Sequence, residues 1–391
     1  MVDRDYTKSI EACAAHYGEE AESVKAYMHQ GHERAYALGN RGPIRFNSDG
    51  SLAQEILDAY SKYGFYVFEE VLQNRELKDI EEDIAEMRTR FPVHRGAKVD
   101  SKGRAALDAD CEGSGLLWSK PLSDPFGGTN VARGRHQVKL KDLNVAPDAP
   151  EEAPFILVGS LQFSEAHLRL YAHPELLKVA EAVNGEDFAP FNEVMFIKDP
   201  GLGAAVSWHQ DGDTHWDSPE FDENIHGFNF MAQLYGSTPV NGVWVVPGTH
   251  KMGKLDITEM VRESGGERLK DAVPIVCDPG DVVMCNRQLV HGSFPNSGFE
   301  PRLTLNFGFH KRSSVLDVQG AGIHSPACVY DAEYIKERTR VLGYAIDARR
   351  HWYPDETPYD YKPFKETGES FFWDCKAQAS LKDYNQRDLS I

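Results

Sequence analysis

From Phe191 to Phe309 the apolar residues recur with a period of two, and nothing else limits the fold of this chain as strongly. Phe191–Lys198, Ala205–Asp211, Gly227–Tyr235, Val243–Val246, Val273–Val276, Val282–Cys285 and Arg302–Phe309 all read as short strands. Pro-Gly, Asn-Gly and Gly-Ser turns bound them. Seven or eight such strands predict a sandwich or jelly roll, mainly β, with flanking helices packed outside.

The helices come mostly before that region. Residues 1–50 read as an N-terminal helical arm, with patches at Glu11–Ala15 and Ala21–Met28. Leu52, Ile56, Leu57 and Tyr60 recur at helical spacing until Gly64 ends the helix. Phe65–Phe68 reads as a strand and Arg75–Met87 as an amphipathic helix. Residues 95–153 are rich in Gly, Pro and Asp and predict long loops. Ser164–Val183 predicts two helices, because Pro174 breaks a single one. Residues 51–312 thus form the expected main domain, and residues 313–391 a C-terminal helix and loop extension, with Ala332–Leu342 its clearest helix. The aromatic end of that extension is expected to cover the core, a partner in a homodimer, or the mouth of a pocket.

With 61 acidic against 42 basic residues, the net charge is −19, which argues against nucleic acid or an anionic membrane surface as partner. No apolar run is long enough to span a bilayer, and the N-terminus lacks the layout of a secretory signal. The six cysteines form no CxxC pair, as expected of reduced thiols in a cytoplasmic protein. The expected partner is a small-molecule substrate.

Two HxD pairs stand in mid-chain, His209-Gln210-Asp211 and His215-Trp216-Asp217. The first follows a strand and the second lies in a polar loop, and metal ligands are best held on rigid elements. On a strand, His209 and Asp211 share a face. One further imidazole would complete a 2-His-1-carboxylate triad, the usual cradle of a non-haem Fe(II) oxygenase. His250, His291 and His310 are the candidates. His291 falls near a strand end, whereas His250 reads as a turn residue and His310 as an ordinary histidine. Arg302 opens an apolar strand, where a buried guanidinium needs a carboxylate partner such as 2-oxoglutarate offers. Arg133, Arg135, His136, Lys139 and Lys141 form a basic cluster that reads as a solvated loop or, more sharply, as a contact to an anionic substrate group.

Several passages carry a resemblance in their order and spacing. They are Asn192–Gly201, Trp208–Asp211, Asn241–Lys251, Gly280–Val283, and His291-Gly292-Ser293 followed by Arg302. Together, from about Leu52 to Arg312, they resemble the phytanoyl-CoA dioxygenase family of Fe(II)/2-oxoglutarate oxygenases. The resemblance implies a double-stranded β-helix, a cupin-like jelly roll, with His209, Asp211 and His291 on iron. It further implies Arg302 and Ser293 on the distal carboxylate of 2-oxoglutarate, Gln210 near the metal pocket, and Lys198 and Trp216 as further co-substrate contacts. Dioxygen would be the second co-substrate, with succinate and CO2 released. Asp211 stands where halogenases of this class carry a small residue, so oxidation of a C–H bond is expected. The alternatives are a zinc hydrolase or isomerase on a cupin-like barrel, which gives Arg302 no task, and a binding protein that has kept the fold.

Overall fold

The computed structural model describes residues 6–211, 227–320 and 328–388. Its core is a pair of facing sheets. The larger comprises β1 (Arg41–Gly42), β2 (Phe65–Phe68), β3 (Leu116–Ser119), β4 (Ala153–Val158), β5 (Ala189–Lys198), β7 (Phe228–Gln233), β10 (Val282–Asn286) and β12 (Arg302–His310). They are hydrogen-bonded in the order β1-β2-β10-β7-β12-β5-β4-β3. The smaller sheet comprises β6 (Val206–His209), β8 (Trp244–Val245), β9 (Val273–Pro274) and β11 (His291–Ser293), in the order β6-β11-β8-β9. All neighbours in the two sheets run antiparallel except β1 and β2. This is the jelly roll that the sequence predicts.

β12 shows how alternation divides core from site. Leu303, Leu305, Phe307 and Phe309 point outward into the main hydrophobic core. There they meet Ile56 and Tyr60 of the helix Gln54–Tyr63, Ile80 and Ile84 of Asn74–Thr89, and Leu168, Leu176 and Leu342 of the helices that follow. Each such side chain, fully buried, contributes about 1.5–3 kcal/mol. Arg302, Thr304 and Asn306 point the other way, into a cavity between the sheets. A slip of one residue would exchange the two sets, so the apolar face fixes the position of the polar one.

The outer face of the smaller sheet is covered by the first helices, Thr7–Ala15 and Ala21–Ala37. Ile10, Cys13, Val24 and Met28 pack there with Trp208, Trp244 and Phe294. Tyr27 stacks on Trp244 with ring centroids 4.5 Å apart. A Cβ on Gly31 would fall 2.5 Å from the Trp244 ring, so the helix approaches this closely only because residue 31 has no side chain.

Local signals placed most elements well. Gly64 ends its helix in the left-handed region at φ 82°, and Pro174 opens the helix Pro174–Asn184. The helix that begins at Ala332 runs on to Trp352, well past Leu342. Residues 95–153, expected as loops, contain β3 and the first residue of β4. Leu116-Leu117-Trp118-Ser119 shows no apolar–polar alternation, and Pro154 near the start of β4 argued against a strand. Among the described residues, no helix is long and apolar enough to cross a membrane.

Candidate metal centre

β6 and β11 pair so that His291 lies opposite His209. Their ring centroids are 4.1 Å apart. Asp211 follows β6 and is held by its backbone N–H, which donates to the Arg287 carbonyl at 2.8 Å. Ligand atoms of His209, Asp211 and His291 all lie within 4.8 Å of one another, and all three residues are buried.

The hydrogen bonds prepare the two rings for a cation. Nδ1 of His209 donates to the Ser207 carbonyl and Nδ1 of His291 to the Leu289 carbonyl, both at 2.8 Å. With Nδ1 so engaged, Nε2 is the atom each ring has left to offer a cation. Those atoms lie 3.4 Å and 3.9 Å from the two Asp211 carboxylate oxygens. Burial pulls His291 down to about 4, and the neighbouring His209 adds to the effect, so His291 is neutral at pH 7. Burial pushes the Asp211 carboxyl up, the Arg135 guanidinium beside it opposes this, and the group sits well below the usual carboxylate range. Among the described residues, its Oδ1 has no hydrogen-bond donor. Two nitrogen lone pairs and a donor-free carboxylate oxygen, all out of water, suit a divalent cation with open positions.

The cavity beside this group is walled by Phe126, Ile156, Phe196, Val206, Met231 and Val243, with Ser293, Arg302 and Thr304 at one end. Arg302 is 3% exposed. Its guanidinium donates to the Asn241 carbonyl at 2.7 Å and to Thr304 Oγ1 at 3.0 Å. Among the described residues, no carboxylate lies within ion-pair distance of it. Burial accordingly pulls its pKa down to about 10. Lys198, its register partner on β5, is also wholly buried, with Nζ donating to Ser293 Oγ at 2.9 Å. Burial drives the Lys198 pKa well down, and the charge of Arg302 lowers it further. Lys198 and Arg302 thus stand side by side, both buried, with Arg302 lining the cavity.

The other candidates fall as follows. Arg135 and His136 line the cavity, Arg135 3.6 Å from Asp211 Oδ1 and the His136 ring 4.2 Å from that of His209. Arg133 is exposed and outside the cavity lining. Gln210 was expected near the metal pocket, but its amide donates to the Gly253 and Gln288 carbonyls and accepts from Leu255 N–H. The strand period explains this, since the residue between His209 and Asp211 faces away from both. His250 bonds the Ser61 carbonyl, and His310 is buried against Phe191 and Arg287. Trp216 and the second HxD pair lie outside the described residues. Asn229 and Asn306 also line the cavity, and nothing in the sequence singled them out.

The model of the family described as "Phytanoyl-CoA dioxygenase (PhyH)" matches residues 60–304, more than half of the chain. The chain belongs to the phytanoyl-CoA dioxygenase family. Phytanoyl-CoA dioxygenase 1 of Oryza sativa subsp. japonica is 30% identical over 141 residues, 34% of this chain and 46% of that protein. The peroxisomal phytanoyl-CoA dioxygenase of Homo sapiens is 26% identical over 184 residues, 43% of this chain and 54% of that one. The chain spans about half the length of these two curated relatives. The crystal structure of EctD from S. alaskensis with 2-oxoglutarate and 5-hydroxyectoine superposes with a TM-score of 0.48 at 18% identity, covering 70% of this chain and 81% of that one. Enzymes of the phytanoyl-CoA dioxygenase family are non-haem iron oxygenases that use 2-oxoglutarate, the class and cofactors that the sequence motifs implied.

Proposed function

We propose that this protein is an Fe(II)/2-oxoglutarate-dependent dioxygenase that oxidises an unactivated C–H bond of a small molecule, with release of succinate and CO2. The observation that carries this reading is one cavity with a His209–Asp211–His291 group on its wall and, at its end, the guanidinium of Arg302, which has no carboxylate within ion-pair distance among the described residues. A hydrolase or isomerase built on the same triad would leave Arg302 without a task.

In this reading His209 and His291 hold iron through Nε2 and Asp211 through its carboxylate. Iron, with 2-oxoglutarate and dioxygen, supplies the oxidising chemistry. Arg302 receives the distal carboxylate of 2-oxoglutarate in a charge-assisted contact, with Thr304 and Ser293 beside it. Lys198 holds Ser293 in place through the hydrogen bond from its Nζ. The apolar walls exclude water from the reacting carbon. Arg135 and His136, on the side of the triad away from Arg302, meet an anionic group of the substrate. Gln210 ties the chain between the two ligands to the backbone behind it.

The test is a stoichiometric one. Iron-loaded protein with 2-oxoglutarate and a panel of small acids is assayed for succinate formed per substrate consumed. Coupled formation with any member supports the reading, whereas an iron-loaded protein that never forms succinate contradicts it.

A further inference from the structure

Arg135 and His136 are neighbours in the chain, and each touches a different side chain of the His209–Asp211 pair. Arg135 Nη2 lies 3.6 Å from Asp211 Oδ1. The His136 ring lies 4.2 Å from that of His209, which is also in contact with the His291 ring at 4.1 Å. His136 Nδ1 and His209 Nδ1 meet the same Ser207 carbonyl, at 3.2 Å and 2.8 Å. One backbone oxygen of β6 therefore fastens two adjacent imidazoles.

The loop that presents this pair has its own fixed base. Asp124 is buried, and its carboxylate accepts the backbone N–H groups of Phe126, Gly127 and Leu140 at 3.2, 2.9 and 2.8 Å. Three charge-assisted bonds thus close the two ends of the loop on one side chain. A Cβ on Gly127 would collide with that carboxylate and with the Lys139 backbone, so the ends come this close only because residue 127 has no side chain. Further in, the Gly128 N–H donates to the His136 carbonyl at 2.8 Å. Ala132 and Arg133 both take the left-handed region, at φ 50° and 58°, a conformation that their side chains disfavour and the surroundings must hold. Beyond this reversal, exposed Arg133 gives way to buried Arg135 and His136.

Both contacts act on ligand atoms whether or not a substrate is present. A ring packed on His209 restricts its rotation and keeps Nε2 toward Asp211. A cation beside the Asp211 carboxylate draws on its negative charge and weakens what it can donate to a metal. We infer that Arg135 and His136 are positioning residues for the metal centre, His136 fixing the His209 ring and Arg135 setting how strongly Asp211 donates. This rests on the oxygenase reading above and gives the two side chains a task besides facing the substrate.

The experiment uses full-length protein under anaerobic conditions with no substrate added, so that contacts to substrate do not enter. By calorimetry, His136→Ala binds Fe(II) about tenfold more weakly than the wild type, the lower end of the cost of losing a ligand's supporting partner. His136→Phe returns a ring to His209 and recovers most of that loss. The visible charge-transfer band of the Fe(II)–2-oxoglutarate complex reads the other residue. Arg135→Met removes the charge and keeps the length, so the band moves to longer wavelength, because electrons on iron are held less firmly without the cation. Arg135→Lys keeps the band near its wild-type position. Wild-type Fe(II) affinity in His136→Ala, equal weakening in the alanine and phenylalanine variants, or an unmoved band in Arg135→Met overturns the inference. Loss of the band from Arg135→Met and Arg135→Lys alike overturns it too, since the effect would then not be one of charge. A wild-type protein that forms no band overturns the metal-site reading itself, and the inference with it.

Discussion

The imidazoles of His209 and His291 meet across the β6–β11 pair with their centroids 4.1 Å apart, each tethered through Nδ1 to the carbonyl two residues before it. Sheet pairing and local backbone bonds together aim both Nε2 atoms at Asp211 before any ion arrives. Pre-set ligands lose little freedom on binding, which favours tight metal uptake. Replacing either ring with alanine should lower Fe(II) affinity at least about 100-fold, as removal of a direct ligand exceeds the 10–100-fold typical of its supporting partners. Isothermal titration with Fe(II) under anaerobic conditions checks this, and near-wild-type affinity in His291→Ala would remove it from the ligand set.

Arg302 should act on co-substrate affinity. A charge-assisted hydrogen bond is worth about 1.5–3 kcal/mol, so Arg302→Leu should raise the KM for 2-oxoglutarate about 10- to 100-fold. The maximal rate at saturation should fall much less, because the reacting atoms are at the other end of the co-substrate. Steady-state kinetics with 2-oxoglutarate varied separates the two effects, and an unchanged KM would assign Arg302 to structure alone.

A wholly buried ion pair helps to pin the C-terminal segment. Arg338 Nε lies 3.0 Å from Asp388 Oδ1, and both side chains are wholly buried. Tyr334 donates to the same oxygen at 2.6 Å. Asp388→Ala leaves a guanidinium buried without its carboxylate and should destabilise the fold by about 3–5 kcal/mol. A shift of the urea midpoint measures it; a loss below about 1 kcal/mol would mean that water reaches Arg338.

Stability should fall on acidification. Burial pulls His167 down to about 4 and does the same to His250. An unfolded histidine takes its proton near 6.5, so between about pH 6.5 and 4 the unfolded chain binds more protons than the folded one. Each group is without effect above that window and costs stability as the pH falls through it. For the wholly buried His167 the loss approaches about 3 kcal/mol by pH 4. Unfolding free energies at pH 7 and pH 5 should differ accordingly, and less so in His167→Asn; an equal pH slope in the two proteins would show that His167 does not contribute.

Legibility in the sequence followed chemistry. His209, Asp211, His291 and Arg302 carry charge or lone pairs that an apolar strand does not need, so they stood out against it. Asn229 and Asn306 did not, because a neutral amide within a strand looks like any half-exposed polar residue until register shows both faces buried. Arg133 and Arg135 are two residues apart with the same chemistry, and only the folded loop separates the exposed one from the one beside Asp211. The same holds for β4, which is buried in the sheet despite Pro154. The strand period already contained the true direction of Gln210, opposite to its two neighbours, though family resemblance pointed the other way.

The most direct measurement is the visible spectrum of the protein loaded anaerobically with Fe(II), before and after 2-oxoglutarate is added. A site with His209, Asp211 and His291 on iron and Arg302 on the distal carboxylate predicts a charge-transfer band that appears on addition, is absent from His209→Ala and His291→Ala, and needs more co-substrate in Arg302→Leu. A protein that binds Fe(II) or zinc yet shows no band with 2-oxoglutarate would contradict the account and favour a metal-dependent hydrolase or isomerase.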